Sequence, residues 1–65
     1  MNYLGILLNN RKHEIRTLKD KMPFVYLHFE DPGVMEILKK QLVQYANQYG
    51  LTPSKYYTDG IVFQQ

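Results

Sequence analysis

Acid–base side chains around position 30 are the first residues in this 65-residue sequence that could do chemistry. His28, Glu30 and Asp31 place an imidazole and two carboxylates within four positions, and general acid–base catalysis uses these residue types. Each also has a structural interpretation. His28 is expected to pack beside Tyr26 on one face of a strand that holds no second titratable group, while Asp31 caps a helix and Glu30 favours the positive end of that helix. We therefore predict no catalytic residue.

A basic segment between positions 11 and 21 is the second chemical feature. On a helix or turn its cations could follow nucleic-acid phosphates, whereas Glu14 and Asp20 dilute the charge and favour a solvated surface. The net charge of +2 is only mildly basic and leaves both interpretations open. The candidate nucleic-acid contacts are Arg11, Lys12, Arg16, Lys19 and Lys21.

One amphipathic helix is expected to organise the chain. Asp31 is suited to the N-cap and Pro32 to the first helical position, where no N–H donor is needed. Gly50 is suited to the left-handed position after the helix, so the helix should cover residues 32 to 49. At about 100° per residue, its apolar face holds Val34, Met35, Leu38, Leu42, Tyr45, Ala46 and Tyr49.

Strands are expected on both sides of this helix. Phe24 to Phe29 is short, aromatic and rich in β-formers, and its two apolar faces are typical of a covered central strand. Tyr56 to Phe63 reads as a second strand, interrupted by the turn-like Asp59-Gly60 pair. Strand, helix and strand in this order predict a right-handed βαβ unit with a parallel strand pair.

The first 22 residues allow two interpretations. Helical spacing would place most of residues 2 to 22 in one helix, and the residues that follow it are Leu4, Leu8, Arg11, Ile15, Leu18 and Met22. Gly5 and the Asn9-Asn10 pair are unfavourable inside a helix, so a strand over residues 2 to 8 followed by a turn is preferred. The chain is thus predicted to be one α/β domain, with an N-terminal strand or helix in residues 1–22 and a βαβ core in residues 23–65.

Composition limits the class of protein. A hydrophobic content of 45% indicates a folded chain. The absence of cysteine excludes disulfides and thiol catalysis and fits a reducing compartment. Because the sequence shows neither a signal peptide nor a membrane span, we expect a cytoplasmic protein with no membrane partner.

Several positions of the predicted βαβ unit match a family pattern. Val25-Tyr26-Leu27 lie in its first strand, and the helix and the next strand add Leu42, Tyr45, Ala46, Gly50, Tyr57, Asp59 and Gly60. On these residues, the segment from Phe24 to Gly60 resembles the N-terminal catalytic domain of the serine recombinases, the resolvase and invertase family. The resemblance covers somewhat over half of the chain.

The catalytic positions of that family are not kept. His28 and Glu30 stand where the family has its arginine and nucleophilic serine, and Ile61-Val62 replace the Ser-Gly after Asp-Gly. Recombination requires a serine hydroxyl and several arginines around the phosphate. The resemblance therefore implies a resolvase-like fold without catalysis, of the kind found in phage and mobile-element proteins. Asn2 replaces the proline that a tautomerase would need, and phosphate-binding glycine patterns are absent, so neither an enzyme nor a cofactor is predicted.

A surplus of apolar side chains indicates a binding protein. One helix on a small sheet leaves several of them uncovered, and a C₂ homodimer or a larger protein partner would bury them. The run Ile61-Val62-Phe63 is the expected contact, as a strand at a sheet edge. The candidate interface residues are Ile37, Val43, Tyr56, Ile61, Val62 and Phe63. The rival function is a small nucleic-acid-binding regulator that uses the segment from Arg11 to Lys21.

Overall fold

The computed structural model describes residues 2–65 as two helices and a three-stranded sheet. The elements in chain order are α1 (Tyr3–Leu18), β1 (Phe24–His28), α2 (Pro32–Asn47), β2 (Thr52–Tyr57) and β3 (Gly60–Gln64). This confirms a small α/β domain. Neither helix has the length and apolar character that crossing a membrane would need, within residues 2–65.

Helix α1 occupies most of the N-terminal segment, so the helical interpretation is confirmed and the preferred strand over residues 2 to 8 is wrong. Asn2 caps the helix, because its side-chain oxygen accepts a 2.6 Å hydrogen bond from the Gly5 backbone N–H. Asn9 and Asn10 are exposed, while Leu7, Leu8, Ile15 and Leu18 pack on the core. Tertiary packing therefore outweighs the low helix propensity of Gly5 and the asparagines.

Helix α2 forms where its sequence signals predict. The Asp31 carboxylate accepts a 2.8 Å hydrogen bond from the Gly33 N–H, and Pro32 begins the helix. Gly50 has φ of +80°, the left-handed conformation expected after a helix end. The helix ends at Asn47, two residues before the predicted end, because residues 48 to 50 form a turn.

The sheet differs from the predicted βαβ unit. Its strand order is β1-β3-β2, and β3 pairs antiparallel with both neighbours. β1 and β2 therefore run in the same direction, but they are not adjacent, and the predicted parallel pair is wrong. The Asp59-Gly60 pair belongs to a hairpin, in which Tyr57 pairs with Gly60 across a two-residue loop. The chain thus reverses where one interrupted strand was predicted.

Both helices cover the same face of the sheet. They run side by side in the same direction, since Tyr3 and Leu7 lie near Val34 while Arg16 and Lys19 reach Tyr45 and Tyr49. The buried core between helices and sheet consists of Ile15, Val25, Leu27, Phe29, Met35, Leu38, Leu42, Ala46, Leu51, Ile61 and Phe63.

The C-terminal run is not the free edge that the sequence suggested. Ile61 and Phe63 are completely buried, and Val62 lies on the opposite face of the sheet. β3 is the central strand, so its backbone groups are bonded on both sides. The prediction that Ile61-Val62-Phe63 forms an edge contact is therefore wrong.

Truncation of the Leu42 side chain tests the interface between α2 and the sheet. The side chain is completely buried, so Leu42→Ala should lower the free energy of unfolding by about 2 to 5 kcal/mol. Ile37→Ala on the same helix is the control, because Ile37 is 58% exposed and its truncation should have little effect. Urea unfolding followed by circular dichroism measures both. Equal stability of the two variants would contradict the assigned helix face.

Candidate interaction surfaces

The sheet face opposite the helices is uncovered and aromatic. Alternate side chains of β1 point to this side, while Val25 and Leu27 between them are buried. Strand register places Val62 of β3 beside Tyr26, with Lys55 of β2 beyond Val62 and Tyr57 of β2 beyond Gly60. We call this surface the open face; its principal side chains are Phe24, Tyr26, His28, Lys55, Tyr57 and Val62.

Tyr26 is at the centre of the aromatic cluster on the open face. Its ring lies 6.2 Å from that of Tyr57 in an edge-to-face arrangement and 6.4 Å from that of His28. Edge-to-face pairs at this separation are favourable. The ring crosses above Gly60, where an added Cβ would lie 2.5 Å from the Tyr26 hydroxyl oxygen. A glycine in β3 therefore provides the space in which the cluster is packed.

His28 has a carboxylate on each side of its ring, but neither is hydrogen-bonded to it. His28 Nε2 lies 3.7 Å from Glu30, and its Nδ1 lies 3.8 Å from Asp59. Both distances exceed a hydrogen bond, so neither carboxylate orients the imidazole as a base. Lys55 Nζ lies 5.0 Å from the centroid of the Tyr57 ring, where the cation interacts with the π-system.

A second surface is formed by cations of α1 and its C-cap, together with Tyr45 of α2 and Tyr49 of the turn that follows. Lys12, Arg16 and Lys19 follow one side of α1 and span about 10 Å along the helix. Lys12 and Lys19 each lie about 5 Å above a tyrosine ring, at 5.4 Å from Tyr45 and 5.1 Å from Tyr49. Arg16 donates a 3.1 Å hydrogen bond to the Tyr45 hydroxyl. We call Lys12, Arg16 and Lys19 the basic stripe.

The hydroxyls of the two tyrosines are 3.3 Å apart and affect each other's ionisation. The hydrogen bond with Tyr49 lowers the pKa of Tyr45, and nearby Arg16 and Lys12 lower it further. The same hydrogen bond, in which either hydroxyl can donate, raises the pKa of Tyr49. The surface therefore presents cations beside a polarised pair of phenols.

The five predicted nucleic-acid residues do not form one patch. Arg11 forms an ion pair of 2.7 Å with Glu14 and covers the Phe29 ring at 4.8 Å. Lys21 lies in the turn after α1. Only the basic stripe places cations of the predicted set along one line.

The predicted protein-interface residues are also divided by the fold. Ile37 and Tyr56 are exposed and Val43 is half-buried, with Val43 and Tyr56 beside the same shallow groove between α2 and β2. Val62 lies on the open face, whereas Ile61 and Phe63 belong to the core. Phe24 and Tyr26 were missed as surface residues, although the alternation of β1 is visible in the sequence, because the strand was interpreted as covered on both faces.

A small cavity lies between the N-terminal half of α1 and the start of α2. Its volume is about 100 Å³, whereas pockets for small molecules usually measure about 300 to 1,000 Å³. Its lining residues are Tyr3, Leu7, Arg11, Phe29, Glu30, Asp31 and Val34. The two extended surfaces are therefore better candidates for function than this cavity.

No protein family, curated protein or solved structure matches this chain. The resemblance to serine recombinases is therefore still a hypothesis.

A substitution at Gly60 tests the packing of the Tyr26 ring on β3. Gly60→Ala should destabilise the protein by about 1 to 3 kcal/mol, because the new methyl group displaces the Tyr26 ring. In a Tyr26→Ala background the same change should be neutral or stabilising by up to about 1 kcal/mol, since the space is then free. Chemical unfolding of the four proteins gives the coupling energy. Equal effects in both backgrounds would contradict the contact.

Proposed function

We propose that this protein is a non-enzymatic binding protein that recognises another protein through its open face. The observation that supports this proposal is the exposure of three aromatic side chains on an uncovered sheet surface: Phe24 is 54% exposed, Tyr26 47% and Tyr57 44%. Aromatic side chains contribute much binding energy when they are desolvated, and they are enriched at protein interfaces. A contiguous aromatic surface is uncommon in soluble monomers unless a partner uses it.

The charges around the open face favour a protein over a nucleic acid. Two carboxylates, Glu30 and Asp59, lie beside His28, and Lys55 is the lysine of this face. Aromatic platforms for single-stranded nucleic acids combine stacking with a positively charged groove. The basic stripe lies on the helix layer and therefore cannot supply that charge to the open face.

A regulatory role in the cytoplasm follows from this proposal together with the cysteine-free composition. The phage or mobile-element setting is supported only by the resemblance in the segment from Phe24 to Gly60.

Site-specific photocrosslinking tests the protein-binding proposal in cells of the source organism. A photoreactive amino acid replaces Tyr57 on the open face, and the matched control carries it at Ile37 on the exposed side of α2. We expect a protein adduct from position 57 that position 37 does not give. The purified partner should then bind the parent protein and lose at least tenfold in affinity with Phe24→Ala, because an aromatic contact at the interface is removed.

Two results would contradict the proposal. The first is an adduct at position 57 that nuclease treatment removes, since this would identify a nucleic acid as the ligand. The second is an unchanged affinity of the partner for Phe24→Ala, provided that the variant unfolds at the same urea concentration as the parent.

The second candidate function is binding of nucleic-acid phosphates by the basic stripe. The geometry favours it because three cations lie on one line about 10 Å long and can each approach a phosphate of a nucleic-acid strand. Asp20, bonded to Lys19 at 3.0 Å, is the carboxylate that competes with this role.

Salt dependence measures the number of phosphate contacts. For three contacts with duplex DNA, log affinity should fall with log salt concentration at a slope of about −2.7, measured by fluorescence anisotropy. Lys12→Gln should make the slope shallower by about 0.9, and the control Lys40→Gln on α2 should leave it unchanged. A slope near zero, or an equal effect of both variants, would exclude the basic stripe as the binding site.

A further inference from the structure

The backbone of β1 has one bonded side and one free side. The Phe29 N–H donates a 2.8 Å hydrogen bond to the Asp59 carbonyl, in register with the β1–β3 ladder. Successive residues of a strand direct their backbone groups to opposite sides, so Val25 and Leu27 also face β3. The N–H and C=O groups of the intervening residues therefore point away from the sheet; these residues are Phe24, Tyr26 and His28.

This free side is an unprotected sheet edge. No backbone hydrogen bond joins it to any other part of residues 2–65. The other edge strand, β2, is protected in the usual ways, because it contains Pro53, a register irregularity between Pro53 and Lys55, and a lysine. Strand β1 (Phe24–His28) lacks all three of these features: it contains no proline, no bulge and no formally charged side chain. Its outer edge is thus suited to pairing with another strand.

We propose that β1 pairs antiparallel with β1 of a second copy of this chain, about a twofold axis at Tyr26. The two three-stranded sheets then form one six-stranded sheet. Such edge-strand pairing was expected from the sequence at the C-terminal strand. In the fold β3 is the central strand and β1 is at the edge, so the pairing is assigned to β1.

The register about Tyr26 satisfies every outward backbone group. Tyr26 faces Tyr26 of the second copy as a hydrogen-bonded pair, and Phe24 faces His28 of the second copy on either side. Three N–H donors and three C=O acceptors on each strand then form six hydrogen bonds. On the open face, Phe24 lies opposite His28 of the second copy at both outer pairs, which is a favourable cross-strand arrangement, while each Tyr26 ring stays over Gly60 of its own copy.

A second copy fits this edge because the strand is complementary to itself. On the helix side, Val25 lies opposite Leu27 of the second copy, and both are completely buried in their own copy, so no polar or charged side chain is brought into opposition there. The pairing brings no lysine, arginine or carboxylate of β1 into opposition, and the net charge of +2 gives only weak repulsion. The twofold axis is perpendicular to the sheet, so the open faces of both copies join into one larger aromatic surface.

Cysteine cross-linking tests the pairing and its register, because the chain has no cysteine of its own. The reagent is a bifunctional thiol reagent with a reach below about 10 Å, or two strand spacings. Tyr26→Cys should be linked into a dimer, since paired Cα atoms are about 5.5 Å apart. Phe24→Cys is the matched control and should not be linked to itself, because its two copies lie about 14 Å apart along the strand.

A mixture of Phe24→Cys and His28→Cys should give the cross-linked heterodimer that neither variant forms alone. Linking of Phe24→Cys to itself would overturn the register. Equal linking of Lys55→Cys, on the protected side of the sheet, would overturn the specific edge.

Equilibrium sedimentation of the full chain gives the second test. The parent should be dimeric at tens of micromolar. Tyr26→Pro removes an outward N–H and should raise the dissociation constant at least tenfold above that of Tyr26→Ala, which loses the same ring but keeps the N–H. A monomeric parent at several hundred micromolar would overturn the proposal. No binding partner is needed in either experiment, so failure of the proposed function and failure of the dimer are distinguishable.

Discussion

The structure depends on burying one interface, the one between two helices and a three-stranded sheet. Every buried hydrophobic side chain in residues 2–65 lies in this layer. A chain of this length buries only about 60% of the surface that it exposes when unfolded, which is too little to cover the second face of the sheet as well. The aromatic open face and the bare edge of β1 therefore arise from the same limit that fixes the fold.

Sequence signals predicted the elements whose causes are local. Asp31, Pro32 and Gly50 determine both ends of α2 through capping and backbone conformation, and these needed no knowledge of the fold. α1 was harder to predict from the sequence, because its stability comes from leucines that pack on the core and not from its own helix propensity. β3 was missed as a separate strand, since residues with high β-propensity lie on both sides of the loop and hide the chain reversal.

The candidate surfaces were predicted in part for a similar reason. The alternation in β1 places Phe24 and Tyr26 on one face, and this follows from strand geometry alone. Whether that face is covered depends on how many helices pack on each side, which is a global property. The sequence shows the cations as one basic segment. The helical phase of α1 separates them, because it directs Arg11 towards Phe29 and the basic stripe towards Tyr45 and Tyr49.

The position of β3 also has a consequence for protein synthesis. β1 and β2 make no ladder with each other, and both bond only to β3, which is translated after them. On the ribosome, therefore, no part of the sheet can form until residues 60 to 64 have left the exit tunnel. Until then the apolar sides of both helices have no sheet to pack on and remain exposed, which makes the incomplete chain prone to aggregation. The sheet is complete only when β3 pairs with both β1 and β2.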